Sequence, residues 1–362
     1  MLSDYTSGLL QVSAAIRNYC GLSSGYQPDA RVQRWLKRGH WRCVIVLLID
    51  GMGSRIIEPR LDFGSFFRRN QLEEVKTVYP PTTSPATTAF LSGKSPKETG
   101  WLGWNQYFQE KDDQIILFRE HSQYSDREYP GFIRQALPVN NIVDELNAKG
   151  IRADSAWPSF GHNPCADYPA LMKKMLELSG QPDMRFVYAY WDELDSLMHA
   201  YGPSSKLTSL KLRQLNDLTE RMARQLPKDT GLLILADHGQ IDVQHYNLKA
   251  DEELCSCLRL RPALEGRTTA FYVKPDKSAE FKRLFLRKLG DEFILMSHEE
   301  AASGSLFGLH QAHPRFEEFL GDWLALATGR TQLDYEKGGN LKGNHAGTLE
   351  AEMMIPIIVY PR

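Results

Sequence analysis

The residues of this 362-residue chain best suited to chemistry are hydroxyls, carboxylates and imidazoles placed where the backbone is expected to turn. Residues 78–93, VYPPTTSPATTAFLSG, carry a turn of Pro80, Pro81, Thr82, Thr83, Ser84 and Pro85 into a run of small residues that ends at Gly93. Prolines exclude a central strand and pre-set a helix start. The turn therefore presents Thr82, Thr83 and Ser84 at a helix N-terminus, where backbone N–H groups and the helix dipole favour an anion. Taken alone, such hydroxyls do no more than cap the helix. With a partner that lowers its pKa, one of them becomes a nucleophile for a phosphoryl or acyl centre.

The partners lie at the ends of three apolar runs. CVIVLLI (43–49), RFVYAY (185–190) and GLLILA (231–236) have the composition of strands buried on both faces, as in a parallel sheet. The first stops at Asp50, the second at Asp192, Glu193 and Asp195, the third at Asp237 and His238. Ligands of open α/β sheets bind at that edge. Asp195 and His199 are four apart, so a helix there sets both on one face. His345 arrives late in a glycine-studded loop over 338–347. Asp50, Thr83, Asp195, His199, Asp237, His238 and His345 supply enough donors for two metal ions. Carboxylate and imidazole without cysteine suit catalytic zinc. A metal pair about 4 Å apart can clamp the attacking and leaving oxygens of an in-line phosphoryl transfer.

The elements that must position these groups alternate between strand and helix, which predicts an α/β fold with a mostly parallel central sheet flanked by helices on both faces. Further strands are expected at 75–78 and 114–118, and at 354–360. Helices are expected at 141–149, 168–178 and 206–226, the last with Leu207, Leu210, Leu215, Leu218 and Met222 on its apolar face. From Arg267 the pattern repeats in weaker form, with strands at 269–273 and 291–296 around a helix at 278–289, then strand plus turn at 317–329. Residues 1–40 read as a polar, partly helical lead-in with a solvated basic face at 31–40. Residues 41–362 read as one catalytic domain.

Composition narrows the partners. A net charge of -2 gives no electrostatic case for a nucleic-acid polymer or a membrane surface. Five cysteines, with Cys255 and Cys257 too close for a C-x-x-C motif, are expected as reduced thiols in a cytoplasmic setting. No secretory leader and no run of about 20 apolar residues is visible. Trp101, Trp104 and Tyr107 are candidates for an aromatic slot against a substrate ring, or for ordinary packing. Arg267 is expected on the surface, with phosphate binding as its other reading. His310 and His313 are expected as loop histidines.

From Val44 to Tyr360 these motifs, in this order, resemble the alkaline phosphatase superfamily and, within it, the type I phosphodiesterase/nucleotide pyrophosphatase family. VIVLLIDGMG is similar to its first metal-binding aspartate segment and TSPATTAFLSG to its nucleophile segment, which places Thr83 at the nucleophile and leaves Thr82 as a rival. DELDSLMHAYGP, LADHG and GNHAG resemble its D-x-x-x-H-x-Y-G-P, D-H-G and late histidine motifs. The resemblance implies an alkaline-phosphatase-like fold and two divalent ions, zinc with manganese or iron as alternatives. One ion is implied at Asp195, His199 and His345, the other at Asp50, Asp237, His238 and the Thr83 oxygen. It implies a phospho-threonine intermediate and a small phosphorylated substrate, a nucleotide or other phosphodiester. Ala86, three residues past Thr83, offers no side-chain amide, so anion stabilisation is expected from the Ser84 N–H and the ions. Phosphomonoester or phosphonate hydrolysis, a manganese phosphomutase and a non-enzymatic phosphate binder are the alternatives.

Overall fold

The computed structural model describes residues 5–335 and 341–362; positions 338–340 of the late glycine-studded loop lie outside the described residues. CVIVLLI forms the central strand Cys43–Ile49, all seven residues buried. Val46 pairs with Tyr188 on one side and Leu233 on the other, both in parallel register. β-Branched and leucine side chains on both faces leave no solvent side, which is why this strand sits mid-sheet. The sheet has seven strands in the order Gln71–Lys76, Met354–Tyr360, Thr230–Leu235, Cys43–Ile49, Phe186–Trp191, Ala153–Pro158, Pro164–Cys165. Met354–Tyr360 runs antiparallel to both neighbours, so the sheet is mixed at one edge.

The strand expected at 75–78 lies earlier, at Gln71–Lys76, because Thr77 turns its hydroxyl to the Asp237 carbonyl and the prolines follow. Helices gather in two groups beside the sheet. Leu9–Tyr19, Thr83–Ser92 and Ile142–Ala148 touch in series, as do Tyr168–Ser179, Lys206–Ala223 and Glu193–Tyr201. In Lys206–Ala223 the buried stripe runs through Leu212, Leu215 and Met222, whereas Leu207 and Leu210 are exposed. The expected apolar face was drawn too far towards the N-terminus.

One further expectation is corrected. The segment read as a polar lead-in carries the helix Leu9–Tyr19, whose first nine residues are buried. Ser13 donates to the Phe90 carbonyl at 2.6 Å and Arg17 pairs with Glu145 at 2.7 Å, so its polar side chains face protein partners. In Ala30–Gly39 the expected solvated basic face is present, with Arg31, Arg34, Lys37 and Arg38 exposed, while Val32, Trp35 and Leu36 on the other side are buried.

The weaker pattern after Arg267 is not more parallel sheet. It belongs to a second, antiparallel sheet in the order Phe293–Ser297, Trp323–Ala327, Thr268–Phe271, Ala263–Leu264, Asn105–Phe108, Asp113–Ile116, His121–Ser122. Short strands joined by tight turns can pair this way, since antiparallel neighbours need no crossover helix. This sheet carries its own apolar cores, around Phe108, Leu264 and Leu324 and around Phe271, Phe285 and Phe293. All five cysteines are free. No helix among the described residues is long and apolar enough to cross a membrane.

Candidate active site

Each chemical side chain sits where a strand or helix ends at one edge of the large sheet. Asp50 follows Cys43–Ile49, and Gly51 behind it has φ +70. A Cβ at Gly51 would lie 3.0 Å from Asp195 Oδ1, so glycine lets the strand end turn while Asp195 comes close. The Gly51 N–H donates to Asp237 Oδ1 at 3.2 Å. Thr83 is the first residue of the helix Thr83–Ser92, which closes at Gly93 with φ +69. Its Oγ1 lies 3.3 Å from Asp50 Oδ2 and 3.2 Å from His238 Nε2. The neighbouring Thr82 hydroxyl instead donates to Glu265 Oε1 at 2.7 Å, so the two threonines face different partners.

Asp195 and His199 share a face of the helix Glu193–Tyr201, with Nε2 3.1 Å from Oδ2. His199 Nδ1 lies 2.9 Å from the Gly343 carbonyl, a contact that makes Nδ1 the N–H and leaves Nε2 as the donor towards the cleft. Asp237 and His238 follow Thr230–Leu235 and are fully buried. His238 Nε2 lies 3.2 Å from Asp50 Oδ1 and 3.6 Å from Asp237 Oδ2, while its Nδ1 lies 3.0 Å from the Gly239 carbonyl. The His345 ring stacks on His238 with centroids 3.8 Å apart, and its Nε2 is 3.9 Å from Asp195 Oδ1. The structure thus brings all seven sequence-predicted residues into one cluster.

Two sets of donor atoms each fall within 4.8 Å of one another: Asp50, Asp237 and His238, and Asp195, His238 and His345. His238 belongs to both, so the two sets adjoin. Asp50 Oδ1, Asp237 Oδ2 and His345 Nδ1 are buried without a hydrogen-bond partner. Among the described residues the three carboxylates form ion pairs only with imidazoles. Burying several anions with no lysine or arginine and with unmet lone pairs is costly unless a cation joins them. The donor set fits divalent metal ions.

The protonation pattern reports the same deficit of positive charge. Burial and the nearby Asp50 carboxylate push Asp237 well above the usual carboxylate range. Burial disfavours the charged form of His238, yet Asp237 and Asp50 outweigh it and raise its pKa to about 10. His199 likewise rises against its burial, through Asp195, to about 9. His345, buried and facing His238, drops well below the usual histidine value. Protons here gather where the carboxylates need cations.

The cluster floors a cleft of about 1120 Å³. Its walls are partly aromatic: Trp157 and Tyr190 lie 5.2 Å apart, Phe160 stands 6.4 Å from Tyr190, and Trp104, Phe118 and Tyr124 also line it, with Arg119 over the Trp104 ring and Asp192, Gln332 and Asp334 among the polar residues. Of the three aromatic candidates only Trp104 lines the cleft. Trp101 packs on Phe118 at 5.3 Å and donates to the Leu137 carbonyl, and Tyr107 packs on Tyr272 at 5.5 Å. Both readings of Arg267 fail. It is fully buried, pairs with Glu352 at 2.7 Å and donates to the carbonyls of Thr331 and Gly329. His310 stacks on Tyr26 at 4.5 Å and pairs with Glu98, and neither it nor His313 lines the cleft.

Four residues that line the cleft or hold its carboxylates escaped the sequence reading. Tyr190 donates its hydroxyl to Asp50 Oδ2; its place at the end of a buried strand was the available signal. Gln240 donates to Asp195 Oδ1 at 2.7 Å from two residues beyond His238. Asn105 and Glu265 line the cleft from the antiparallel sheet, and nothing local in the sequence marks them. Asn105 brings a side-chain amide to the cleft wall, its Nδ2 donating to the Leu264 carbonyl at 3.3 Å, whereas Ala86 is buried inside the nucleophile helix.

Comparison with known proteins places this arrangement. The structure is similar to murine ectonucleotide pyrophosphatase/phosphodiesterase 5, with TM-score 0.68 and 16% identity over 87% of each chain. It is also similar to phosphonoacetate hydrolase from Sinorhizobium meliloti 1021, with TM-score 0.65 and 13% identity over 88% of this chain and 90% of that one. Bis(5′-adenosyl)-triphosphatase ENPP4 of Homo sapiens and of Pongo abelii are each 21% identical over 247 residues. That alignment takes in 61% of this chain and 51% of theirs, so the chain spans about half the length of these curated relatives. The sequence profile of the type I phosphodiesterase/nucleotide pyrophosphatase matches residues 44–346, and the chain belongs to that family.

Proposed function

We propose that this chain is a metal-dependent phosphoric-ester hydrolase that cleaves phosphodiesters or nucleotide pyrophosphates through a covalent phospho-threonine at Thr83. The observation that carries the reading is the Thr83 hydroxyl at a helix N-terminus, 3.3 Å from Asp50 and 3.2 Å from His238 of a buried cluster short of positive charge. Asp50, Asp237, His238 and the Thr83 oxygen are proposed to hold one ion, and Asp195, His199 and His345 the other. Zinc is the metal this carboxylate–imidazole set suits best. Bound divalent ions would neutralise phosphate charge and lower the pKa of coordinated hydroxyl and water.

The geometry supports the following part for the chain's own residues. The Thr83 hydroxyl loses its proton to solvent and Oγ1 attacks phosphorus; a new O–P bond forms as the bond to the leaving oxygen breaks, and the leaving group departs with the electron pair. Water then attacks the same phosphorus and the Thr83 O–P bond breaks; one water proton restores the Thr83 hydroxyl, the other passes to solvent, and a phosphomonoester leaves. The helix N-terminal amides, with Ser84 N–H foremost, face the phosphoryl oxygens, and the Asn105 amide is a further donor. Tyr190 and Gln240 hold the carboxylates of Asp50 and Asp195 in place. The aromatic walls fit a planar group on the ester.

The relatives point the same way. The curated ones are named for bis(5′-adenosyl) triphosphate, and an inactive form of the murine protein is described in complex with AMP. The reading is tested with zinc-loaded protein on the p-nitrophenyl ester of thymidine 5′-monophosphate and on p-nitrophenyl phosphate. It requires release of p-nitrophenol from the diester, in preference to the monoester and with loss on chelation. Turnover that survives removal of all metal would overturn it.

A further inference from the structure

Glu265 lines the cleft wall from the turn between Ala263–Leu264 and Thr268–Phe271 of the antiparallel sheet and, like Asp192 and Asp334, belongs to neither donor set. It makes two side-chain hydrogen bonds, both to Oε1, from the Thr82 hydroxyl at 2.7 Å and the Trp104 N–H at 2.8 Å. No lysine, arginine or histidine pairs with it among the described residues. The backbone is shaped to hold it there. Leu264, just before it, has φ +77, an uncommon conformation for a residue with a branched side chain. A Cβ at Gly103 would lie 2.9 Å from Leu264 Cα, so glycine is what lets the Trp104 segment approach this strand. Strain and close approach together deliver an unpaired carboxyl to the residue next to the nucleophile.

Burial pushes the Glu265 carboxyl up to about 7, so above neutral pH it carries a charge that no cationic side chain among the described residues pairs with. It is well suited to reading charge. A phosphodiester carries one negative charge, whereas a phosphomonoester carries about -1.5 to -2 near neutral pH. In a cleft partly walled by aromatic rings, the added repulsion between a carboxylate and the second charge is larger than in water.

We propose that Glu265 is a specificity residue of the hydrolase site: its carboxylate, fixed beside Thr82, disfavours a second negative charge on the phosphoryl group and so selects phosphodiesters over phosphomonoesters. The inference rests on the hydrolase reading above. It makes the substrate class a property of one residue of the antiparallel sheet, which lies outside the seven metal and nucleophile positions.

Glu265→Gln keeps both hydrogen bonds and removes the charge. With the two p-nitrophenyl substrates at about pH 8.5, above the value of about 7 to which burial raises Glu265, the variant's ratio of diester to monoester kcat/KM is expected to fall at least about tenfold, with the monoester value rising in absolute terms. A folding or positioning defect lowers both values and cannot produce that gain. Thr82→Val supplies the control, since it removes the hydrogen bond and leaves the carboxylate; it should keep the diester preference. A ratio that holds in Glu265→Gln, or a Thr82→Val variant that loses the preference equally, overturns the proposal.

A second arm needs no turnover. In Thr83→Ala protein, calorimetric binding of AMP is compared with binding of its methyl ester, with and without Glu265→Gln. AMP should tighten about tenfold and the methyl ester much less; equal changes refute charge selection. Failure of the wild type to hydrolyse either substrate would count against the hydrolase reading, while this binding arm would still decide on Glu265.

Discussion

Thr83 Oγ1 and His238 Nε2, 155 positions apart in sequence, lie 3.2 Å apart. The first begins a helix and the second follows the end of a buried parallel strand, so the sheet edge is what makes them neighbours. The His238 ring in turn touches both donor sets. A change at either residue should therefore be felt in chemistry and in metal binding to different degrees.

Thr83→Ala should lower turnover of the diester substrate at least about a thousandfold while retaining most of its bound metal. Steady-state kinetics beside elemental analysis of the same preparation checks this. Substantial residual turnover would remove Thr83 from the nucleophile position.

Asp237→Asn should lose metal. Asp237 Oδ2 is buried with no hydrogen-bond partner, and the substitution leaves an amide where an anionic donor is proposed. Titration with zinc should show one tight site in place of two. Two tight sites with unchanged affinity would contradict the ligand assignment.

Metal-free protein should lose stability as pH rises from about 6.5 to about 10. The folded-state values of His238, raised to about 10, and of His199, raised to about 9, lie above that of an unfolded histidine. Their contribution is complete below about pH 6.5 and vanishes as pH climbs through the folded values. Asp237, raised by burial and Asp50, acts in the same direction. Thermal melts of chelated protein at several pH values should show Tm falling across this window. Zinc should raise Tm most at its alkaline end and displace protons as it binds. A melt of the chelated protein that is flat from pH 6.5 to 10 would contradict this account of the cluster.

Arg267→Ala should destabilise the fold by about 3–5 kcal/mol, since it strands Glu352 in a fully buried pair. Urea unfolding measures the loss. A variant of wild-type stability whose only defect is a raised KM would restore a phosphate-binding role.

How much of this was legible in sequence depends on locality. Cys43–Ile49 and Thr230–Leu235 announce themselves because a strand buried on both faces has to be apolar throughout, and their terminal aspartates then stand out. Asp195 and His199 show the helical spacing directly. The antiparallel sheet was legible only in part: strands are expected near Asp113–Ile116, Thr268–Phe271, Phe293–Ser297 and Trp323–Ala327, but their pairing into a separate sheet is not. Asn105–Phe108 and Ala263–Leu264 are short, and the first carries the polar Asn105 and Gln106, so no periodicity separates them from loops. Glu265 and Asn105 were missed for that reason. Arg267 was misread because its partner Glu352 lies 85 residues away, and a charged residue in isolation reads as surface. The Leu9–Tyr19 helix looked polar because Gln11, Ser13 and Arg17 are buried against partners that local sequence does not reveal.

The most direct test of the central claim is to trap the covalent species. Zinc-loaded protein is mixed with the p-nitrophenyl ester of thymidine 5′-monophosphate, quenched in acid within the first turnovers, digested and analysed by mass spectrometry. The account predicts a thymidylyl group on the peptide that contains Thr83, fragmenting to Thr83 itself and absent from the Thr83→Ala protein. An adduct on Thr82 or any other residue, or an unmodified peptide during active turnover under conditions where the second step is rate-limiting, would contradict it.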